Sequence, residues 1–255
     1  MQIGDGNFWL GDCFDLFAAV PDNSVDMILC DLPYGTTANK WDSVLPFDAL
    51  WREYWRVCKP NAAVVLTAAQ PFTSALVMSD VRNFRYAWVW AKNRPSGFAN
   101  AKKQPLRAHE DVLVFARATP LYKPQGLVYA PKTLRNSRST GGGNVQGQSV
   151  GSRRGALRSP GSAYVQEFTN YPTSILSISG EARGFHPTQK PVPLFEYLIR
   201  TYTNPGDLVL DNCAGSGTTA IAAHNAGRRW LCMEREPDYY WRAVARVMDH
   251  VAGRS

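Results

Sequence analysis

Between Asp111 and Glu167 the chain contains no aspartate and no glutamate. Lys123, Lys132, Arg135, Arg138, Arg153, Arg154 and Arg158 all fall in that interval, which rules out internal charge pairing and suits a polyanionic partner. The formal net charge of +7 over 255 residues agrees, although mild basicity alone says little. Cysteine is scarce: Cys13, Cys30, Cys58, Cys213 and Cys232 are odd in number and include no CxxC pair. A disulfide framework and a structural metal are thereby excluded, and a reduced, cytoplasmic protein is expected. No apolar run reaches the length of a membrane span and the amino terminus shows no signal-peptide pattern, so no membrane partner is expected.

What is present is an alternation of strands and helices. Val25 to Cys30 is a short apolar run preceded by Pro21-Asp22-Asn23, which reads as a buried parallel strand. Asn7 to Asp12 reads as an earlier strand and Cys13 to Val20 as a short helix, so the opening is strand, helix, parallel strand. Pro46 starts a helix with Phe47, Leu50, Trp51, Tyr54 and Trp55 on one face. Strands are predicted over 62–67, 86–90 and 112–115, with a helix over 72–78. From Thr119 to about Gly180 periodicity is lost and Gly, Ser, Pro, Asn and Arg dominate. A loop of that length is functional or solvated; its arginines, interleaved with Tyr122, Tyr129 and Tyr164, suit phosphate contacts and stacking. Order resumes at about 185, with a helix over 194–202, a strand over 207–210, a helix over 220–226, a strand over 229–233 and a last helix from Tyr240 to Val251.

Two stretches carry chemistry. The strand ending at Cys30 runs into Asp31-Leu32-Pro33-Tyr34-Gly35 at its carboxyl edge, where open α/β sheets bind their ligands. A carboxylate, a loop carbonyl and an aromatic face together fit a planar ring bearing an amino group; an ordinary proline turn is the plain alternative. The second stretch, Asp211-Asn212-Cys213-Ala214-Gly215-Ser216-Gly217-Thr218-Thr219, lies between a strand and a helix, with Glu234 closing the next strand. This is the half-Rossmann unit that binds an adenosine, with Glu234 placed to accept from ribose hydroxyls. A Cβ at Gly215 or Gly217 is expected to collide with the ligand. Gly215-x-Gly217-x-x-Ala220 also satisfies the dinucleotide fingerprint, but Asp211 directly ahead of the loop suits a cationic cofactor better than a pyrophosphate. Asp12 sits at the same edge as Asp31, or caps the helix that follows it. His109 has no partner at metal spacing and reads as structural or substrate-positioning.

Asp31-Leu32-Pro33-Tyr34 resembles the (Asp/Asn/Ser)-Pro-Pro-(Tyr/Phe/Trp) motif of DNA methyltransferases that modify exocyclic amino groups. Leu32 replaces the first proline, and Asn212-Cys213 stand where the family usually has Pro-Phe. The segment His186-Pro187-Thr188-Gln189-Lys190-Pro191 adds to the likeness, which spans nearly the whole chain except about 120–180. The motif order resembles the permuted β group. The resemblance implies an α/β, Rossmann-like methyltransferase fold, with a mostly parallel sheet and helices on both faces. Residues 1–118 would form the catalytic half, 119–183 an inserted target-recognition region and 184–255 the cofactor half.

It implies a site-specific enzyme acting on adenine N6, with cytosine N4 or a non-catalytic DNA-binding homologue as alternatives. Double-stranded DNA would be the partner, with the target base flipped, and a homodimer is common in the group. Asp31, Leu32, Pro33 and Tyr34 would be catalytic. S-adenosylmethionine would be held by Asp12, Lys190, Asp211, Ala214, Gly215, Gly217, Thr218, Thr219 and Glu234. DNA contacts would come from Lys102, Lys103, Lys132, Arg135, Arg138, Arg153, Arg154 and Arg158.

Overall fold

The computed structural model describes residues 1–35, 43–135, 163–180 and 189–253, apart from the side chains of 133–135 and 163–164. The chain forms two compact units, one from Met1–Lys123 with Thr173–Ser255 and the other from Pro124–Pro172.

In the larger unit, β1 (Gln2–Ile3) and β2 (Gly6–Leu10) lead into α1 (Cys13–Phe17) and β3 (Val25–Cys30). Then come α2 (Phe47–Val57), β4 (Cys58–Ala68), α3 (Phe72–Ser79) and the hairpin of β5 (Phe84–Ser96) and β6 (Arg107–Phe115). β7 (Val128–Arg135) and β8 (Ala163–Thr169) belong to the smaller unit. The chain returns through β9 (Ile175–Ser177), α4 (Val192–Tyr202), β10 (Leu208–Asp211), α5 (Thr218–Asn225), β11 (Arg229–Glu234) and α6 (Pro237–Val251).

Among the described residues the main sheet has nine strands in the order β1-β2-β11-β10-β3-β4-β6-β5-β9. From β2 through β11, β10 and β3 to β4 every pairing is parallel, while β6 runs antiparallel to both β4 and β5. The central parallel strands β3, β4 and β10 carry buried apolar runs because both faces of the sheet are covered there. Alternation on β3 shows how: Met27 and Leu29 pack in one cluster with α4, α5 and α6, whereas Ile28 and Cys30 pack in the other with α1, α2 and α3. The stripe on α2 buries Leu50, Trp51 and Tyr54, each contributing roughly 1.5–3 kcal/mol of transfer free energy. None of the described helices is long and apolar enough to cross a membrane.

Three details differ from the sequence expectation. β5 and β6 extend well past the expected 86–90 and 112–115, because their outer halves are exposed polar residues with no hydrophobic signal. The region expected to be irregular from 119 to about 180 includes the antiparallel pair β7–β8, with Tyr129 opposite Phe168 and their rings edge-on at 5.6 Å. Its ends belong to the larger unit: Lys123 N–H donates to the Thr201 carbonyl at 2.8 Å, and β9 adds to the sheet edge beside β5. Short strands among Gly, Ser and Asn leave too few alternating residues to stand out.

Candidate active site

In a parallel sheet, chain reversals gather at the carboxyl ends of the strands, and here those ends bring acids together. Asp12 follows β2, Glu234 ends β11, Asp211 ends β10 and Asp31 follows β3, in the spatial order of adjacent strands. They line one cleft of about 470 Å³, together with Leu32, Pro33, Tyr34, Lys190, Ala214, Gly215, Thr218 and Thr219.

The glycine-loop side is held by its own hydrogen bonds. Asp211 is 2% exposed; one carboxylate oxygen accepts from the Cys213 N–H at 3.0 Å and the other from the Thr219 hydroxyl. Burial pushes its pKa up to about 6, against the pull of those two donors. Glu234 accepts from Gly215 N–H at 2.8 Å and Glu236 N–H at 2.9 Å, one on each oxygen. A carboxylate has about four acceptor positions, so lone pairs remain for the hydroxyls of a ribose. Burial raises the Glu234 pKa, with the amides opposing it. Ala214 N–H donates to the Met233 carbonyl at 2.9 Å, tying the loop to β11. Asn212, which departs from the family pattern, accepts from the buried Tyr54 hydroxyl at 2.6 Å. Asp12 caps α1 through Phe14 N–H at 2.9 Å and also faces the cleft. This set of acceptors around a glycine turn fits an adenosine bearing a cationic group.

Gly217, expected beside the cofactor, also has a structural reason of its own. Its φ is +75° at the N-cap of α5, and a Cβ there would lie 2.9 Å from Val247 Cγ2 and 3.4 Å from Phe8 and Ala243. It does not line the cleft. The left-handed backbone and the close packing against α6 by themselves favour glycine at this position.

On the other side, Asp31 is the hub. Its Oδ1 accepts from the Tyr34 hydroxyl at 2.8 Å and from the Thr67 hydroxyl, and its Oδ2 accepts from the Lys190 ammonium at 2.7 Å. The Lys190 ammonium also lies 3.3 Å from Glu110 Oε2, and Glu110 Oε1 pairs with Lys92 at 2.9 Å. Burial works against the Lys190 charge, but Asp31 and Glu110 outweigh it and hold its pKa above the ordinary lysine value. Burial likewise opposes ionisation of Glu110, yet Lys190 and Lys92 hold its carboxyl below the usual range. The Tyr34 ring stacks on Phe72 with centroids 5.0 Å apart, and Lys190 Nζ lies 5.7 Å from its centre. Burial, then the Asp31 and Glu110 charges, keep the phenol protonated. Leu32 is buried in the core.

Lys190, expected among the cofactor residues, has its ammonium against the carboxylate after β3. Thr67, Glu110 and Lys92 complete the cluster, and no motif marks them as site residues. One signal was available: Glu110 is the first acid after Asp80, at the end of an otherwise basic stretch. Lys102 and Lys103 are exposed on the turn of the β5–β6 hairpin, and Lys132 is exposed on β7 of the smaller unit. Arg138, Arg153, Arg154, Arg158 and the Arg135 side chain lie outside the described residues, as do His186, Pro187 and Thr188.

Comparison with known proteins agrees with this geometry. A family model of the N6/N4 type, described as DNA methylase, matches residues 25–245. The type II methyltransferase M.BglII of Bacillus subtilis is 28% identical over 256 residues, covering 90% of this chain; the chain spans 65% of that relative's length. Among solved structures, the M1.HpyAVI–SAM complex aligns with 94% of this chain and 99% of its own, at a TM-score of 0.63 and 23% identity. The cytosine-N4-specific PvuII DNA methyltransferase aligns over 98% and 93%, at a TM-score of 0.68 and 16% identity.

Proposed function

The chain belongs to the N6/N4 DNA methylase family, and from that premise we propose that it is a site-specific enzyme methylating the N6 amino group of adenine in double-stranded DNA. The observation that carries the reading is the one cleft shared by Asp31-Leu32-Pro33-Tyr34, the glycine turn at Gly215 and Glu234. S-adenosylmethionine, bound there, supplies a methyl group on a sulfonium. Glu234 holds the ribose hydroxyls, Gly215 lets the backbone approach closely, and Asp12, Asp211, Ala214, Thr218 and Thr219 shape the rest of the cradle.

A neutral aromatic amine is a poor nucleophile because its lone pair is conjugated with the ring. Asp31 and the Leu32 carbonyl accept the two N–H bonds of a flipped base, which favours a tetrahedral nitrogen with its lone pair free. Pro33 stiffens the loop and Tyr34 offers its ring to the base. Lys102 and Lys103, with Lys132, Arg135, Arg138, Arg153, Arg154 and Arg158 of the insertion, contact DNA, chiefly its phosphates. The type II relative supports a place as the modifying half of a restriction–modification pair.

Adenine is preferred because the permuted group that the motif order resembles acts mostly on adenine. Cytosine N4 is the second reading, favoured by the likeness to the PvuII enzyme. Sequencing methylated positions in DNA from cells expressing the wild type or Asp31→Ala tests the proposal. Methylated adenines at one short motif, lost in the variant, are expected; identical profiles in the two strains would refute it.

A further inference from the structure

Lys190 has two attachments that point to opposite halves of the site. Its ammonium, on a side chain only 6% exposed, sits 2.7 Å from Asp31 and 3.3 Å from Glu110. Its carbonyl accepts from the Thr218 hydroxyl at 3.3 Å, and Thr218 is the first residue of the helix that follows the glycine loop. Arg246 donates to the same Thr218 oxygen at 3.1 Å. One residue thus connects the start of α5 to the carboxylate that follows β3.

A role in binding the cofactor's carboxylate fits this geometry poorly. Asp31 and Glu110 already take two of the three ammonium donors and offset its charge, so a third carboxylate there would add net negative charge to a buried group. A purely stabilising role is also weak, because a buried ion pair roughly offsets its own desolvation. What the contact does accomplish is orientation. Tyr34 and Thr67 hold one oxygen of Asp31 and Lys190 holds the other, so the carboxylate cannot rotate freely. The row Lys92, Glu110, Lys190, Asp31 alternates in sign, so each carboxylate in it lies beside an ammonium.

We propose that Lys190 is a positioning residue of methyl transfer, acting through Asp31 and linking the glycine loop to the orientation of that carboxylate. The proposal rests on the methyl-transfer reading above. It places Lys190 outside direct contact with base or cofactor and makes Glu110 its anchor.

A double-mutant cycle tests it, with wild type, Asp31→Ala, Lys190→Met and the double variant. The readout is single-turnover transfer of labelled methyl from S-adenosylmethionine to PCR-amplified, hence unmethylated, random-sequence duplex DNA. Lys190→Met should slow transfer about 30-fold or more while the dissociation constant for S-adenosylmethionine, by calorimetry, changes less than about 3-fold. In the Asp31→Ala background the same change should cost less than about 3-fold, because the group through which Lys190 acts is absent.

Where Lys190→Met does not fold, Lys190→Gln takes its place in the cycle. Glu110→Gln, which loosens Lys190 without touching Asp31, should slow transfer about 5-fold and only when Asp31 is intact. Losses that multiply across the cycle, or a main effect on cofactor affinity, would overturn the proposal alone. A wild type that binds S-adenosylmethionine but transfers nothing to DNA would overturn the functional reading and this proposal with it.

Discussion

Replacing Asp31 separates two chemistries. As a general base the carboxylate must take a proton, which an amide cannot do; as an acceptor it orients the amino group, which an amide oxygen can still do. The surrounding contacts set the magnitudes. In Asp31→Asn the amide oxygen can face Lys190, which sits 2.7 Å from Oδ2. The amide N–H groups then face the Tyr34 and Thr67 oxygens, and hydroxyls can reverse to accept. The cage survives, but a charge-assisted hydrogen bond becomes a neutral one, a loss of about 1.5 kcal/mol or roughly tenfold in rate. Asp31→Ala removes the acceptor altogether and leaves the Lys190 ammonium with Glu110 alone, so a loss of roughly 10²–10³ is expected. Single-turnover rates at saturating DNA and cofactor measure this free of binding effects, and S-adenosylmethionine binding should persist in both variants. Equal and complete loss in the two, with folding and cofactor binding intact, would refute the acceptor role and establish proton abstraction.

Glu234→Ala should weaken S-adenosylmethionine binding by roughly 1.5–3 kcal/mol, read by calorimetry, because a carboxylate that accepts from ribose is removed. Gly217→Ala should instead lower stability by about 1–3 kcal/mol in urea unfolding, with cofactor affinity per folded molecule unchanged; the opposite split would return Gly217 to the ligand. For DNA, replacing Arg135, Arg138, Arg153, Arg154 and Arg158 should flatten the log–log salt dependence of binding by about 0.9 for each phosphate no longer neutralised, and an unchanged slope would make the insertion a solvated loop. Asp211 predicts a pH effect, since its folded pKa of about 6 stands above the ordinary 3.8. Its relative stabilisation is full below the ordinary value and is lost as pH rises through about 6. Between about pH 4.5 and about pH 7.5 the stability of Asp211→Asn relative to wild type should therefore rise by about 2 kcal/mol, and a pH-independent difference would contradict the burial of this group.

The parts of the site that could be read from sequence are those encoded contiguously. Asp31 and Glu234 stand at the ends of short apolar runs, and a strand buried on both faces must appear as such a run, so their place at the sheet edge follows from local pattern. Asp31's partners do not follow. Thr67 comes from the neighbouring strand β4, Glu110 from β6 and Lys190 from the segment before α4, and no spacing in the chain announces that they converge. Gly217 shows a subtler limit: the need for glycine was legible, but one reason for it, the approach of Val247 on α6, is distant in sequence. Likewise β7 and β8 stabilise one another across a long intervening stretch, and neither is apolar enough to stand out alone.

The central claim is methyl transfer to adenine N6, and mass spectrometry of nucleosides tests it most directly. Unmethylated duplex DNA would be incubated with the purified protein and S-adenosylmethionine, digested and analysed. N6-methyldeoxyadenosine should accumulate with the wild type and be strongly reduced with Asp31→Ala. N4-methyldeoxycytidine in its place would contradict the adenine assignment, and the absence of both from DNA bearing every short sequence would contradict methyl transfer itself.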